Sequence, residues 1–547
     1  MNDTAREALS AMLFADTSTP LDDVVRRCRA NPVHLDDGQA DALCSAAGPL
    51  VLWPEQGGFA MLAADLHALV RDASLPDSGL ILHLPATIRG MPLVRIAADA
   101  FRPWLSYGVG LRALIVPEGV EEISDGSLSP LCFECAALPS TLARFGLRMV
   151  RWSKLTRYPD AVEYLVDPGS ATLFAEDGSL YSHDGETLIA HAYPYGERIE
   201  IRQGVRRIRE DAFLHTPHPP RRIVCPDSLE AAPDGIDHAL LWVADPSTDF
   251  ARTLRADGRR CVSAAYRIID GAVFDFDDDG AVLVATADDA RSVDIPDGIG
   301  TAPVVRIGRR ALPSSVHSVI VGSNVRTIED GNACSGACRI VLADTLEAVG
   351  RGCFVRAALQ SPVRIPRSVL SIGERSFEGS RIFIESLATT VFVFSGARAI
   401  FTPRAYREQS DGTYEQTDAA TDGAFSAPFD MRAYDELLAG DRPFQAKTES
   451  IVDRLAGKVA IDSETLESFA GQLGKNADAA CTLIADRRSV RAVSRLADAG
   501  FYDNDERFFA QCERLRKMHA AQALGMLVRM REQARNTVEK PSARFAF

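Results

Sequence analysis

Between Ile295 and Phe377 the chain says nearly the same thing four times. IPDGIGTAPVVRIGRRAL is followed by VIVGSNVRTIEDGNAC, then IVLADTLEAVGRGCF, then VRIPRSVLSIGERSF. The matching positions Ile307, Ile328, Val349 and Ile372 lie 21, 21 and 23 residues apart. A period in the low twenties is too short for a unit that buries its own apolar face, so the units must stack as coils of a solenoid. The repeat therefore dictates an architecture and favours a binding role, while leaving the partner unnamed.

Each unit reads as a short strand, a turn and a second apolar arc. In the clearest copy Val363 and Ile365 alternate with Arg364, the period-2 mark of a strand. Pro366 has no N–H to donate and ends that strand. Val369 and Ile372 point back inward, Gly373 allows a tight turn, and Phe377 closes the coil. Earlier copies run through Leu82, Leu84 and Phe101, through Leu114, Val116 and Ile123, through Ile199, Ile201 and Phe213, and, more worn, through Ile223, Cys225 and Leu229.

The phrase I-P-x-x-V-x-x-I-G at 365–373, closed by Phe377, resembles the BspA-like leucine-rich repeat family of bacteria. Two interruptions carry the same resemblance: YLVDPGSATLFAEDGSLYSHDGETLIAHAYP at 164–194, and the run from YRIIDGAVFDFDDDGAVLVAT to VRIG at 266–308. The resemblance implies an α/β leucine-rich-repeat solenoid of stacked short parallel β-strands over 75–403, with hairpin inserts near 164–194 and 266–290. It also implies relatives at the bacterial surface. The asparagine ladder of longer leucine-rich repeats is absent from the repeat phrase.

Residues 1–74 read as an N-terminal helical capping region, through TAREALSAMLFA, PLDDVVRRCRA, DDGQADALCSAA and FAMLAADLHALVRDA. A first coil without such a cap would expose an apolar end. The polar stretch 404–429 reads as a linker. From 430 to 547 the apolar period changes to about 3.6 and predicts an α-helical domain, with Asp462 as an N-cap and DERFFAQCERLRKMHAAQALGMLVRMREQA as one long helix candidate. This block resembles the helical, ankyrin-like tail of some Firmicutes and Actinobacteria repeat proteins, through Tyr434, Asp435, Arg454, Leu455, Leu483, Ile484, Gly500 and Phe501.

A formal charge of −15 argues against nucleic acid as partner, since a nucleic-acid groove needs a basic stripe. No stretch approaches the ~20 apolar residues that span a membrane. The start MNDTAREALS lacks the basic, then apolar, pattern of a secretory signal. The eleven cysteines are odd in number, and several occupy core slots of the repeat. Together these predict a cytoplasmic home with reduced thiols.

The clusters that invite chemistry are weak. Cys132 and Cys135 have metal or redox spacing, but the other close pair, Cys334 and Cys338, lies many coils away. Asp275, Asp277, Asp279 and Gly280 imitate a calcium loop whose twelfth position is Thr286 instead of Glu. His215 and His218 stand beside two prolines in HTPHPP, and Ser182, His183 and Asp184 are too close in sequence to converge as a triad. No metal or cofactor is expected, and the chain reads as a non-enzyme.

The expected function is protein–protein interaction. Strand alternation puts the middle residue of each strand outward. The coils then line up Ile115, Val224, Ile320, Val341, Arg364 and Phe383 as a candidate binding face, flanked by His83, Glu200 and Asp294. Apolar residues with one arginine match the make-up of interface hot spots. Two alternatives stand beside this reading: an adaptor that binds through the helical tail, and an adhesin-like surface protein.

Overall fold

Alternation along each repeat becomes, in the computed structural model, a ladder of short parallel strands with one face inward. Described are residues 8, 11–15, 20–47, 51–63, 78–101, 110–128, 132–146, 162–192, 198–213, 220–233, 240–357, 359, 361–396, 399–418, 422–440 and 446–538. The chain divides into two units, Met1–Ala264 and Ala265–Phe547. Each is a β-solenoid of stacked short parallel strands with helices attached.

In the N-terminal unit, helices α1 (Leu21–Ala30) and α2 (Asp37–Ala47) precede the coils. The outer strands β1 (Ser78–His83), β2 (Gly110–Ile115), β3 (Cys132–Leu138) and β4 (Glu163–Val166) pair in parallel. A second ladder, Met91–Ile96, Glu122–Ile123 and Arg144–Phe145, runs along the opposite side. Leu82, Leu114, Ala136 and Tyr164 fill the space between the ladders with Ile96, Ile123 and Phe145. The insert at 164–194 forms the expected hairpin, Leu173–Glu176 against Ser179–Ser182.

The helix expected over 59–73 is corrected at its start. A turn at Gly57, with φ +92°, folds Val51–Glu55 against Gly58–Ala63 as a hairpin. Phe59 and Met61 are buried strand residues that pair beside Leu93 and Ile96. Apolar spacing at 59, 62 and 66 suits a helix, but neighbouring coils offered a ladder to join. Residues 64–74 and most of 1–15 lie outside the described residues.

In the C-terminal unit, antiparallel strands over 267–285 lead into the outer strands β5 (Ser292–Asp294), β6 (Ser318–Ile320), β7 (Arg339–Val341), β8 (Val363–Ile365) and β9 (Arg381–Ile384). Val363, Ile365, Val369, Ile372 and Phe377 all face inward, the last with no exposure at all. Phe354 stacks on Phe377 with ring centroids 5.4 Å apart. The coil-closing residues Cys334, Phe354 and Phe377 take left-handed backbone, with φ of +42°, +56° and +57°.

Gly373 is needed for a different reason from the tight turn expected of it. A Cβ there would stand 2.4 Å from the Arg351 amide nitrogen of the preceding coil. Four residues past each inward Ile or Val lies a small or polar residue, Ala311, Asn332, Cys353 or Ser376. Asn332, fully buried, donates to the Gly308 and Glu329 carbonyls at 3.0 and 2.8 Å and accepts from the Leu312 amide. Ser376 Oγ donates to the Gly350 carbonyl at 2.6 Å and accepts from the Cys353 amide. A short polar ladder therefore exists here, built from mixed residue types.

Strand β9 turns back into antiparallel β10 (Thr389–Phe392), which ends the parallel ladder. The segment expected as a linker is a three-stranded antiparallel sheet, Arg404–Glu408, Tyr414–Thr417 and Ala424–Ala427. Buried Tyr406 and Tyr414 pack on Phe425, which gives this polar stretch an apolar side that composition hid. Helices α3 (Met431–Ala439), α4 (Lys447–Ala456), α5 (Ser463–Gly474), α6 (Ala477–Arg487), α7 (Val490–Asp498), α8 (Asp505–Lys517) and α9 (Ala521–Val538) follow. Asp462 caps α5 by accepting from the Thr465 amide at 2.8 Å. The expected long helix is two, because His519 at φ +54° breaks it.

The helices share one continuous core with the last coils, from Phe377 and Val391 through Tyr434 and Ile451 to Ile484. Fully buried Arg454 forks onto both Asp435 oxygens at 2.7 Å and donates to the Val459 and Ala460 carbonyls at 2.8 Å. Val459 bridges in turn to Tyr414 of the small sheet. Arg381 of β9 and Arg487 of α6 both pair with Glu449 and Asp453 of α4.

Replacing Phe377 by Ala should lower stability by roughly 3–5 kcal/mol, as for other buried aromatics. The exposed Leu370 one coil-arc away, changed to Ala, should cost under about 0.5 kcal/mol. Urea unfolding followed by circular dichroism checks both, and equal effects would refute the coil register.

Candidate functional site

The outer faces of the strands are the surface this fold repeats most regularly. Within each ladder the register brings the expected residues side by side. Ile115 of β2 stands between His83 of β1 and Ala137 of β3. Val224 neighbours Glu200 and Val243. In the C-terminal unit Asp294, Ile320 and Val341 form one row, and Arg364 pairs beside Phe383.

The two units treat this face differently. In the N-terminal unit α1 lies across it. Val24 and Val25 pack on Ile81, Ala113, Ile115, Cys135 and Ala137. Ile115 is thus buried and is withdrawn from the candidate surface. Sequence alternation pointed it outward correctly, but an amphipathic helix elsewhere in the chain supplies its cover. That cover does not extend to Val224, which is partly exposed to the same degree as Ile320 and Phe383 and stands beside buried Val243.

In the C-terminal unit the face is open. Val341 is 40% exposed, and Ile320 and Phe383 are half-exposed. Phe383 lies opposite Thr390 of β10, so the row continues onto the closing strand. Arg364 is exposed but engaged: it donates to Asp344 at 2.6 Å and to Glu385 at 2.7 Å. Both carboxylates raise its affinity for the proton. The arginine is therefore a held group within the row, paired with a carboxylate on either side. Asp344 and Glu385 were missed as its partners, although they lie 20 and 21 residues away, one coil period on either side.

The other expected clusters resolve locally. Asp277 pairs with Arg306 and accepts from the Gly280 amide as a turn residue. Ser182 Oγ donates to Asp184 at 2.6 Å, a turn contact within one hairpin. Among the described residues, no group of three or more His, Cys, Asp or Glu could hold a metal ion. His215 and His218 lie outside the described residues, as does the Cys132 side chain. The nine described cysteines are free thiols. Burial pushes the Cys135, Cys334 and Cys353 thiols up to about 12. Cys338 alone among the nine is exposed. No helix among the described residues is long and apolar enough to cross a membrane.

Comparison with known proteins finds no matching family model and no matching curated protein. Three solved structures match part of the chain. A leucine-rich repeat protein from Eubacterium ventriosum is 11% identical, over 54% of this chain and 71% of that one, with a TM-score of 0.23. A leucine-rich cell surface protein from Faecalibacterium prausnitzii is 12% identical, over 59% of this chain and 84% of that one, with a TM-score of 0.21. The pneumococcal vaccine antigen PcpA is 14% identical, over 53% of this chain and 68% of that one, with a TM-score of 0.19.

Changing Val24 and Val25 together to Asp should lift α1 from the sheet and expose Cys135. In the parent protein Cys135 should be silent toward Ellman's reagent at pH 8. In the double variant it should react, with a Cys135→Ser version assigning the signal. An unchanged reaction would show that α1 does not shield this face.

Proposed function

We propose that the chain is a non-catalytic protein-interaction protein of the BspA-like type, and that the open outer face of its C-terminal unit is the contact surface. One observation carries the reading. A helix of the chain covers this face over Ile81, Ala113 and Ile115, whereas among the described residues no such helix packs over Ile320, Val341 and Phe383. Apolar strand residues beside an ion-paired Arg364 desolvate cheaply, and the held guanidinium keeps donors for a partner's carbonyls. The partner is read as a protein, with no nucleic acid involved.

The helical tail is a second reading with its own support. Phe509 on α8 is 64% exposed, and Val528 on α9 is 37% exposed. Deleting the tail would not separate the two readings, because its first helices complete the core of the last coils. Point variants do so. Partners captured from the native host should be lost with Val341→Asp plus Phe383→Asp and retained with Phe509→Asp plus Val528→Asp, both folded by circular dichroism. The reverse pattern assigns binding to the tail.

A cytoplasmic address is the reading favoured for compartment, and an exported adhesin-like protein is the competing one. Titration of the denatured, unreduced native protein should find all eleven cysteines as thiols. Nine or fewer would favour export.

A further inference from the structure

A half-enclosed cleft of about 240 Å³ opens in the N-terminal unit, between the end of α1 and the loops that follow β1 and β2. Its walls are largely apolar, with Pro32, Ala86, Ile115 and Pro117 among them. His83 lines it. That side chain is 4% exposed and makes no hydrogen bond to any described residue. The polar groups around it are already matched. His34 Nδ1 bonds Thr87 Oγ1 at 2.9 Å. Glu118 accepts from the Ser140 amide at 2.9 Å and its hydroxyl at 2.8 Å. Arg29 pairs with Asp167 at 3.0 Å and donates to the Leu138 carbonyl.

We propose that this cleft binds a small uncharged ring compound carrying one N–H or O–H group, with His83 as the hydrogen-bond partner. His83 lines the cleft without a protein partner among the described residues, so a ligand donor that reaches the imidazole replaces water there and outbinds a ring of equal shape that lacks one. Arg29 is matched by Asp167, and Glu118 remains as a carboxylate beside the cleft, which disfavours an anionic ligand. A cavity of about 150 Å³ accepts benzene, so the larger volume here suits a fused ring. Burial pulls the His83 pKa down to about 4, so the ring is neutral and keeps an acceptor nitrogen near pH 7. This site is independent of the outer face assigned above to protein contact.

Indole tests the assignment, because indene has the same shape and no donor. Calorimetry on the full chain should show saturable indole binding at least tenfold tighter than indene, unchanged between pH 8 and pH 6. His83→Phe should weaken indole at least tenfold and leave indene within twofold. A second measurement needs no variant. Cys28 lines the cleft and is half-buried. Saturating indole should slow its alkylation by iodoacetamide at least tenfold, read by peptide mass spectrometry against Cys338 in the same chain. Equal affinity for indole and indene, or Cys28 labelling that indole leaves unchanged, would overturn the proposal and leave a cleft filled by water.

Discussion

Close approach between successive coils is the constraint on which the rest of the structure depends. A coil of some twenty residues cannot bury its own apolar arc, so each coil must lie against the next with no room to spare. Gly350 and Gly373 show how tight the stack is, since an added Cβ would meet the preceding coil's backbone at 2.6 and 2.4 Å. The buried polar side chains Asn332 and Ser376 exist for the same reason. They satisfy backbone carbonyls of the neighbouring coil, Gly308 and Gly350, at the buried seam between coils.

Stacking creates an end that must be closed. In the C-terminal unit the ladder stops by reversing direction at β10, and α3 and α4 complete the core beyond it. The cover is held by ion pairs as well as by apolar contact. Arg454 ties α4 to Asp435 of α3 and to the turn at Val459 and Ala460, and Arg495 donates to the Leu455, Gly457 and Val459 carbonyls. Breaking one member of such a pair leaves a buried charge, which is costlier than never having built it.

What the sequence revealed follows from the same geometry. Residues that repeat every coil were legible, so Val363, Ile365, Val369, Ile372 and Phe377 read inward and both hairpin inserts read as hairpins. Contacts one period apart were legible in principle, as Arg364 with Asp344 and Glu385 shows. Contacts without a period were not. Nothing local says that Val24 and Val25 will settle on Ile115, or that Tyr406 and Tyr414 turn a polar stretch into a sheet. The start of the helix expected at 59–73 is a strand because Phe59 fits both a helical spacing with Leu62 and Leu66 and a period-2 pair with Met61, and an adjacent ladder decided between them.

The left-handed backbone of the coil-closing residues restricts how this repeat can diverge. Cys334, Phe354 and Phe377 combine positive φ with complete burial. Most core slots of these coils accept valine or isoleucine freely. Branching at Cβ is poorly tolerated at positive φ, so the closing slot is barred to the residues its neighbours prefer. Glycine would relax the backbone there and leave a void in the core. The restriction belongs to these three coils, since Phe101, Phe213 and Leu312 close theirs without positive φ, so the last coils are held to unbranched side chains at a slot that earlier coils leave open to wider choice.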